Sequence, residues 1–96
     1  MLTLYQAEWC PYSHRVRQRL TELMVPFVAR PVEPDPDDRD ELRRVSGDDA
    51  IPVLVTESGQ AIADADRIIE WLDANYAEPA EARRHRAQAR KQRMFA

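Results

Sequence analysis

The sequence contains a single cysteine, Cys10, among 96 residues. One thiol excludes a disulfide within the chain and leaves too few thiolates for a metal site built from one chain. A partner molecule would have to complete either structure. Only two histidines are present, His14 and His85, and neither accompanies the acidic residues at a spacing typical of metal ligands. We therefore expect no metal site within the chain.

Long apolar segments are also missing. The first apolar run covers residues 1–5, which is too short for a signal peptide, and no span of about twenty apolar residues follows. We expect a cytoplasmic protein that does not engage a membrane. The hydrophobic fraction of 44% and the charged fraction of 32% are typical of one soluble globular domain.

The net charge of −3 is unevenly distributed along the chain. Residues 1–78 carry sixteen acids and eight bases, whereas residues 79–96 carry one acid and six bases. An acidic body argues against nucleic-acid binding, and the basic tail is left to contact anionic surfaces, including the body itself. Residues 80–93 favour a helix, but their apolar positions are mostly alanine, so we expect a marginal helix that frays. We therefore predict a domain at 1–78 and a tail at 79–96.

The first third of the chain has the pattern of a β-α-β unit. Alternating apolar and polar residues predict a strand at 2–6. From Pro11 the apolar residues recur at helical spacing, and this helix should end before Pro26. A second short strand is predicted at 27–32. The two strands of such a unit are parallel and joined by a right-handed crossover.

Aspartate and proline mark the next helix. Asp35 is suited to cap it and Pro36 to occupy its first turn. The acidic residues that follow suit the positive end of the helix dipole. The pattern predicts a helix that ends near Arg44 and is followed by a loop at 45–49.

Residues 51–56 form the most strand-like run of the chain. Pro52 should lie at the start of this strand or on an exposed edge, because proline cannot donate to a sheet. A turn then leads to a short antiparallel strand at 61–62, which completes a hairpin. Either Asp64 or Asp66 could cap the helix that follows, and we favour Asp64.

Cys10 lies within residues 9–13, Trp-Cys-Pro-Tyr-Ser, between the first predicted strand and the first helix. A lone cysteine is most often buried and inert. Pro11, however, fits the first position of a helix, which places Cys10 at the N-cap or beside it. Unpaired backbone N–H groups and the positive end of the helix dipole stabilise a thiolate there. The pattern therefore favours a reactive thiol.

The predicted order β-α-β-α-β-β-α, with Cys-Pro-Tyr-Ser opening the first helix and Ile-Pro-Val opening the third strand, resembles the thioredoxin fold. Within this α/β fold, which has a central four-stranded mixed sheet, residues 1–77 resemble the glutaredoxins and the N-terminal domains of glutathione transferases. The run from Ile62 to Leu72 supports the same resemblance. The chain is similar to monothiol glutaredoxins, because Ser13 stands where dithiol members have a second cysteine.

The resemblance implies a role for residues around the thiol. Cys10 is then the nucleophile, which forms a mixed disulfide with glutathione or another low-molecular-weight thiol as co-substrate. Pro11, Tyr12 and Ser13 belong to the binding site, with Tyr12 as the wall beside the sulfur. Without a second cysteine, a thiol from outside the chain has to complete the reaction.

The same resemblance implies that Pro52 follows a cis peptide bond and that the backbone of Ile51 pairs with the thiol peptide. Asp64, Ala65 and Asp66 match the helix start that receives the γ-glutamyl end of glutathione. There the N–H groups attract its carboxylate and an acid side chain takes its amine. Considered singly, Pro52 could instead be an edge-strand entry, and the two aspartates could be simple helix caps.

Two further positions depart from these families. Ala7 stands where many glutaredoxins have a lysine that assists the thiolate and binds a ligand carboxylate, and Ala65 stands where glutathione transferases usually have serine. His14 could lower the pKa of the thiol, but a surface position is the stronger expectation. We expect Trp9 and Trp71 to pack in the core, with stacking on a ligand as the alternative.

These observations support three functional hypotheses. The leading one is an enzyme, a glutaredoxin-like thiol–disulfide oxidoreductase or deglutathionylase that acts as a monomer on proteins carrying mixed disulfides. The second is a carrier of a [2Fe–2S] cluster, in which Cys10 from each of two chains and two small thiols supply four thiolates. The third is a non-catalytic adaptor domain that resembles the front half of a glutathione transferase.

Overall fold

A four-stranded mixed sheet with helices on both faces forms the fold of residues 1–95, the part of the chain that the computed structural model describes. The strands are β1 (Leu2–Gln6), β2 (Phe27–Pro31), β3 (Val53–Val55) and β4 (Ala61–Ala63), in the order β2-β1-β3-β4. The helices are α1 (Pro11–Glu22), α2 (Asp40–Ser46), α3 (Ala65–Asn75) and α4 (Ala82–Phe95). The predicted thioredoxin-like fold is confirmed. Within residues 1–95, no helix has both the length and the apolar composition needed to cross a membrane.

Strand alternation separates two apolar cores, one on each face of the sheet. On one face, Leu4 and Leu54 are fully buried and pack with helical residues of α1 and α3, namely Val16, Leu20, Ile68 and Leu72. On the other face, Tyr5 and Val53 pack with Leu42 of α2. The neighbours Leu4 and Tyr5 therefore belong to different cores, because consecutive side chains of a strand point to opposite faces.

The helix predicted at 36–44 is wrong in its boundaries. Asp35 does act as a cap, since its carboxylate accepts a 2.9 Å hydrogen bond from the N–H of Asp37. The turn that it caps, however, is a short 3-10 turn at Pro36–Asp38. The backbone leaves helical geometry at Arg39, with φ −88° and ψ 55°, and α2 begins only at the next residue.

The buried side chain of Arg39 explains this break. Its guanidinium donates to the carbonyl oxygens of Glu33 (2.8 Å), Asp49 (2.9 Å) and Pro34 (3.3 Å). A buried cation has to be surrounded by acceptors, and these carbonyls come from the segments before and after α2. α2 then continues past the predicted end at Arg44 to Ser46, and Gly47 ends it in left-handed backbone with φ +83°. The loop predicted at 45–49 therefore begins two residues later.

The strand predicted at 51–56 is shortened to β3 at both ends. Pro52 has no N–H to donate, and Thr56 already belongs to the turn, where its N–H donates to the carbonyl of Gln60 at 2.9 Å. β4 contains Ala63 in addition to the predicted 61–62. Because β3 pairs with β1 on one side and β4 on the other, the alternative that Pro52 marks an exposed edge is wrong.

The basic tail docks on α1 through α4. Ala82, the first residue of α4, is fully buried. The buried carboxylate of Glu22 binds Arg19 at 2.8 Å and Arg86 of α4 at 3.5 Å. Glu78 binds the same two arginines, at 3.1 Å and 2.9 Å, and their hydrogen bonds, that of Arg86 first, hold its pKa below the usual value. The tail therefore contacts the acidic body, while the expected fraying of its helix stays a prediction.

Replacing Ala82 by leucine should destabilise the protein by about 1–3 kcal/mol, because Ala82 is fully buried and the larger side chain would overpack its site. Ala87→Leu is the matched control, since Ala87 is exposed on the same helix. It should change the free energy of unfolding by less than about 0.5 kcal/mol. Urea denaturation followed by circular dichroism measures both values. Equal effects of the two substitutions would contradict the docking of α4.

Candidate functional site

Three chain segments meet at one end of the sheet. The strand register aligns Tyr5 of β1 with Val53 of β3, and Val53 in turn with Ala63 of β4. At this end β1 runs out toward Cys10, Pro52 leads into β3, and β4 runs out into the start of α3. The topology therefore brings together the cysteine loop, the proline and the helix start that the sequence analysis assigned to one site.

Cys10 occupies the N-cap of α1. Its backbone is extended, with φ −83° and ψ 118°, and Pro11 takes the first helical position. The Sγ atom of Cys10 accepts a 3.4 Å hydrogen bond from the N–H of Ser13, and the Cys10 N–H donates to the carbonyl of Ala7 at 3.1 Å. The residue is only 6% exposed. The sulfur therefore takes the role of a capping oxygen, which favours the charged thiolate.

Hydrogen bonds and a nearby charge lower the pKa of Cys10. Burial by itself raises the pKa, because it disfavours the thiolate. The hydroxyl and the N–H of Ser13, the N–H of Tyr12 and the positive charge of Arg17 together outweigh burial. The Ser13 hydroxyl is itself buried and accepts a 3.4 Å hydrogen bond from the N–H of Ala7. Ser13, which stands in place of a second cysteine, therefore helps to lower the pKa of Cys10.

The backbone before β3 lies at the same end of the sheet as this cap. The peptide bond between Ile51 and Pro52 is cis. Pro52 is buried, and Ile51 is half-buried and packs against the core formed with Tyr5 and Leu42. Both residues precede β3 and lie outside its ladder.

The start of α3 completes this end of the molecule. Asp64 is the N-cap, with φ +76°, a left-handed conformation that aspartate tolerates better than most residues. Its carboxylate accepts a long hydrogen bond of 3.4 Å from the N–H of Arg67. Ala65 is buried in the core, whereas Asp66 is exposed and forms a 2.7 Å ion pair with Arg15 of α1. The favoured choice of Asp64 as cap agrees with this geometry, and the Asp66 alternative does not.

The aromatic residues divide between core and surface. Trp9 is 67% exposed and Tyr12 is 59% exposed, on either side of Cys10. The expectation that Trp9 packs in the core is wrong, because the loop before α1 buries Ala7 and Cys10 and leaves Trp9 exposed. Trp71 does pack against the core and meets Tyr76 edge to face, with ring centroids 6.1 Å apart. The expected surface position of His14 agrees with its exposure.

Arg17 is the residue of this site that the sequence analysis missed. Its side chain is only 18% exposed, although the helical pattern predicts a solvated position. The guanidinium donates to the carbonyl of Ala7 at 3.3 Å and to the side chain of Gln6. The available signal is spacing, because Arg17 follows Cys10 by seven residues and so lies two turns along the same helix face.

The sequence model of the glutathione S-transferase N-terminal domain matches residues 4–80 of this chain. The chain belongs to that family. No curated protein sequence matches this glutathione S-transferase N-terminal domain. The matched range includes the cysteine loop, Pro52 and the start of α3, so all three segments of the candidate site lie within the family domain.

Solved structures share the fold of this glutathione S-transferase N-terminal domain. A glutathione S-transferase from Rhodospirillum rubrum F11 is 31% identical with a TM-score of 0.72, covering 82% of this chain and 35% of that chain. A glutathione S-transferase from Methylobacillus flagellatus kt, solved with glutathione bound, is 26% identical with a TM-score of 0.67. The match covers 76% of this chain and 36% of that chain. Glutaredoxin 2 from Salmonella typhimurium, in complex with glutathione, is 19% identical with a TM-score of 0.70, covering 76% and 33%, and shows the shared fold alone. The chain spans about a third of the length of these structures.

Ser13→Ala should raise the pKa of Cys10 in this domain, because it removes a hydroxyl that stabilises the thiolate. Alkylation by iodoacetamide at about pH 7 should therefore slow, since the thiolate is the reacting form. Rates measured across the pH range give the pKa directly. Ser46→Ala is the matched control, because Ser46 lies at the end of α2 and bonds only the nearby backbone of Leu42 and Asp48. A Ser13→Ala profile identical to that of the wild type would refute the role of the hydroxyl.

Proposed function

We propose that this chain catalyses thiol–disulfide exchange, with Cys10 as nucleophile and glutathione or a related small thiol as co-substrate. The observation that carries the proposal is the sulfur at the N-cap of α1, where Ser13 and Arg17 help to lower its pKa. A glutathione S-transferase relative solved with glutathione bound supports the choice of thiol. In this proposal the domain at 1–78 acts as a monomer in the cytoplasm, on proteins that carry mixed disulfides.

The proposed reaction consists of two exchanges, each of which forms one disulfide bond and breaks another. First, the Cys10 thiolate attacks the glutathione sulfur of a mixed disulfide, and the substrate protein leaves as a thiolate that takes up a proton. Second, the thiolate of a free glutathione attacks the adduct on Cys10, which restores the Cys10 thiolate. The two glutathione units leave joined by one disulfide bond. Because Ser13 cannot act as a resolving thiol, the second glutathione is required.

Residues from all three segments supply the binding site in this proposal. The first turn of α3 offers the N–H groups of Ala65 and Asp66 to the γ-glutamyl carboxylate. The backbone of Ile51 lies outside the β3 ladder and is available to pair with the thiol peptide. Pro11 and the exposed ring of Tyr12 line the approach to the sulfur.

Asp64, rather than Asp66, takes the ammonium group of glutathione in this proposal. Asp66 is paired with Arg15 at 2.7 Å, so an incoming ammonium group would have to compete with a guanidinium. The carboxylate of Asp64 is exposed and accepts only the long hydrogen bond from Arg67. The two acids therefore differ in how much of their charge is available to a ligand.

Asp64→Asn should weaken glutathione binding by about tenfold or more, because a hydrogen bond to a charged group contributes about 1.5–3 kcal/mol. Asparagine retains the cap and tolerates positive φ, so the fold is kept. Asp66→Asn is the matched control and should change Kd by less than about threefold. Calorimetric titration of glutathione into Cys10→Ser protein measures both. A loss from Asp66→Asn that equals or exceeds the loss from Asp64→Asn would overturn the assignment.

Cys10→Ser should reduce turnover of a glutathionylated protein substrate to the rate without protein, because serine cannot form the intermediate disulfide. Release of the substrate thiol in the presence of free glutathione measures this rate. Mass spectrometry of the wild-type protein, quenched during turnover, should find one glutathione on Cys10. Equal turnover by the two proteins would refute the enzyme and leave the adaptor role.

The iron–sulfur hypothesis gains no support from the relatives, which are glutathione transferases and a glutaredoxin. We therefore do not propose a cluster for this chain.

A further inference from the structure

The guanidinium of Arg17 reaches from α1 to the loop that precedes Cys10. Its Nη1 atom donates to the carbonyl of Ala7 at 3.3 Å and to the side-chain carbonyl of Gln6, which is itself buried. Its Nε atom lies 3.5 Å from the carboxylate of Glu8. The last residue of β1 and the first two residues of the loop are therefore contacted by one side chain of the following helix.

Ala7 connects this arginine to the sulfur site. The carbonyl of Ala7 accepts from Arg17 and also from the N–H of Cys10 at 3.1 Å. The N–H of Ala7 donates to the hydroxyl of Ser13, which in turn stabilises the thiolate. A displacement of Ala7 would therefore disturb both the backbone of Cys10 and the hydroxyl beside its sulfur.

We propose that Arg17 is a positioning residue for Cys10, which fixes the loop through the carbonyl of Ala7 and places a positive charge on the thiolate side of α1. The inference rests on the proposed function, since it concerns the same sulfur. In this proposal Arg17 supplies the positive charge near the thiolate that Ala7, at the position of the lysine found in many glutaredoxins, cannot provide. Arginine suits this task, because its planar fork donates to two acceptors at once and keeps its charge at every relevant pH.

Glu8, the acidic neighbour of Arg17, determines how strongly the positive charge of Arg17 stabilises the Cys10 thiolate. Glu8 is 82% exposed, so it neutralises the guanidinium only in part. Glu22 is bound to Arg19 and Arg86 instead. Other charged or titratable groups around this loop and the start of α3 include Tyr12, His14 and Arg15 of α1, Asp64, Asp66 and Arg67 at the start of α3, and His85 of α4.

The test is the pH dependence of Cys10 alkylation by iodoacetamide in the wild type and in variants. Arg17→Gln should shift the profile to higher pH and slow alkylation at about pH 7 by about threefold or more, since one pKa unit changes the thiolate fraction about tenfold. Glu8→Gln should shift the profile to lower pH, because it removes the opposing charge. Arg84→Gln is the control. Arg84 is 84% exposed on α4, and its substitution removes the same net charge as Arg17→Gln.

Arg17→Lys separates positioning from charge. Lysine keeps the positive charge but lacks the fork, so alkylation should fall between the wild type and Arg17→Gln. Complete recovery in Arg17→Lys would overturn the positioning role and leave a simple charge effect. An Arg17→Gln profile that matches the wild type, or an equal shift in Arg84→Gln, would overturn the inference altogether.

The test of Arg17 depends neither on a single variant nor on turnover of a substrate. If Arg17→Gln fails to fold, as judged by circular dichroism, Arg17→Lys decides, and an Arg17→Lys profile that coincides with that of the wild type then overturns the positioning role. The measurement needs neither glutathione nor a protein substrate. If the alkylation profiles shift as expected but the wild type does not turn over a glutathionylated substrate, the proposed enzyme is refuted and the role of Arg17 stands. If the wild type does turn over the substrate but the profiles of the wild type and Arg17→Gln coincide, the role of Arg17 is refuted and the proposed enzyme stands.

Discussion

The antiparallel pairing of β1 with β3 is the constraint on which the candidate site depends. Its register sets Tyr5 opposite Val53, and because side chains alternate along a strand, the same register decides which residues enter each core. A slip of one residue would turn Leu4 out of its core and move Pro52 away from the Cys10 loop. The burial of apolar surface that stabilises the sheet therefore also maintains the geometry around the sulfur.

The two ends of helix α1 stabilise negative charge in different ways. Its N-terminus presents unpaired N–H groups to Cys10, where negative charge is favoured. Its C-terminal part holds Arg19 and the buried Glu22 in a network that α4 completes through Arg86. A buried carboxylate is tolerated only when it is paired, so the docking of α4 and the burial of Glu22 depend on each other.

Much of the fold could be predicted because its signals are local. The period of the apolar residues and the positions of Pro11 and Pro52 indicate the β-α-β unit, the helix cap and the entrance to β3. The misplaced start of α2 has a different origin, since Arg39 breaks the helix to reach carbonyls that only the folded chain brings together. Helical spacing places Arg17 on the same face of α1 as Cys10, but it does not encode where the long side chain folds back to contact Ala7.

The near-complete burial of Cys10 has a consequence for which molecules can react with it. Only 6% of the residue is exposed, so in the proposed exchange a disulfide has to reach a largely buried sulfur in line with the bond that breaks. Thin, flexible chains can adopt that approach, whereas disulfides recessed within folded proteins cannot. Under the proposed function, steric access therefore restricts the disulfides that Cys10 can attack.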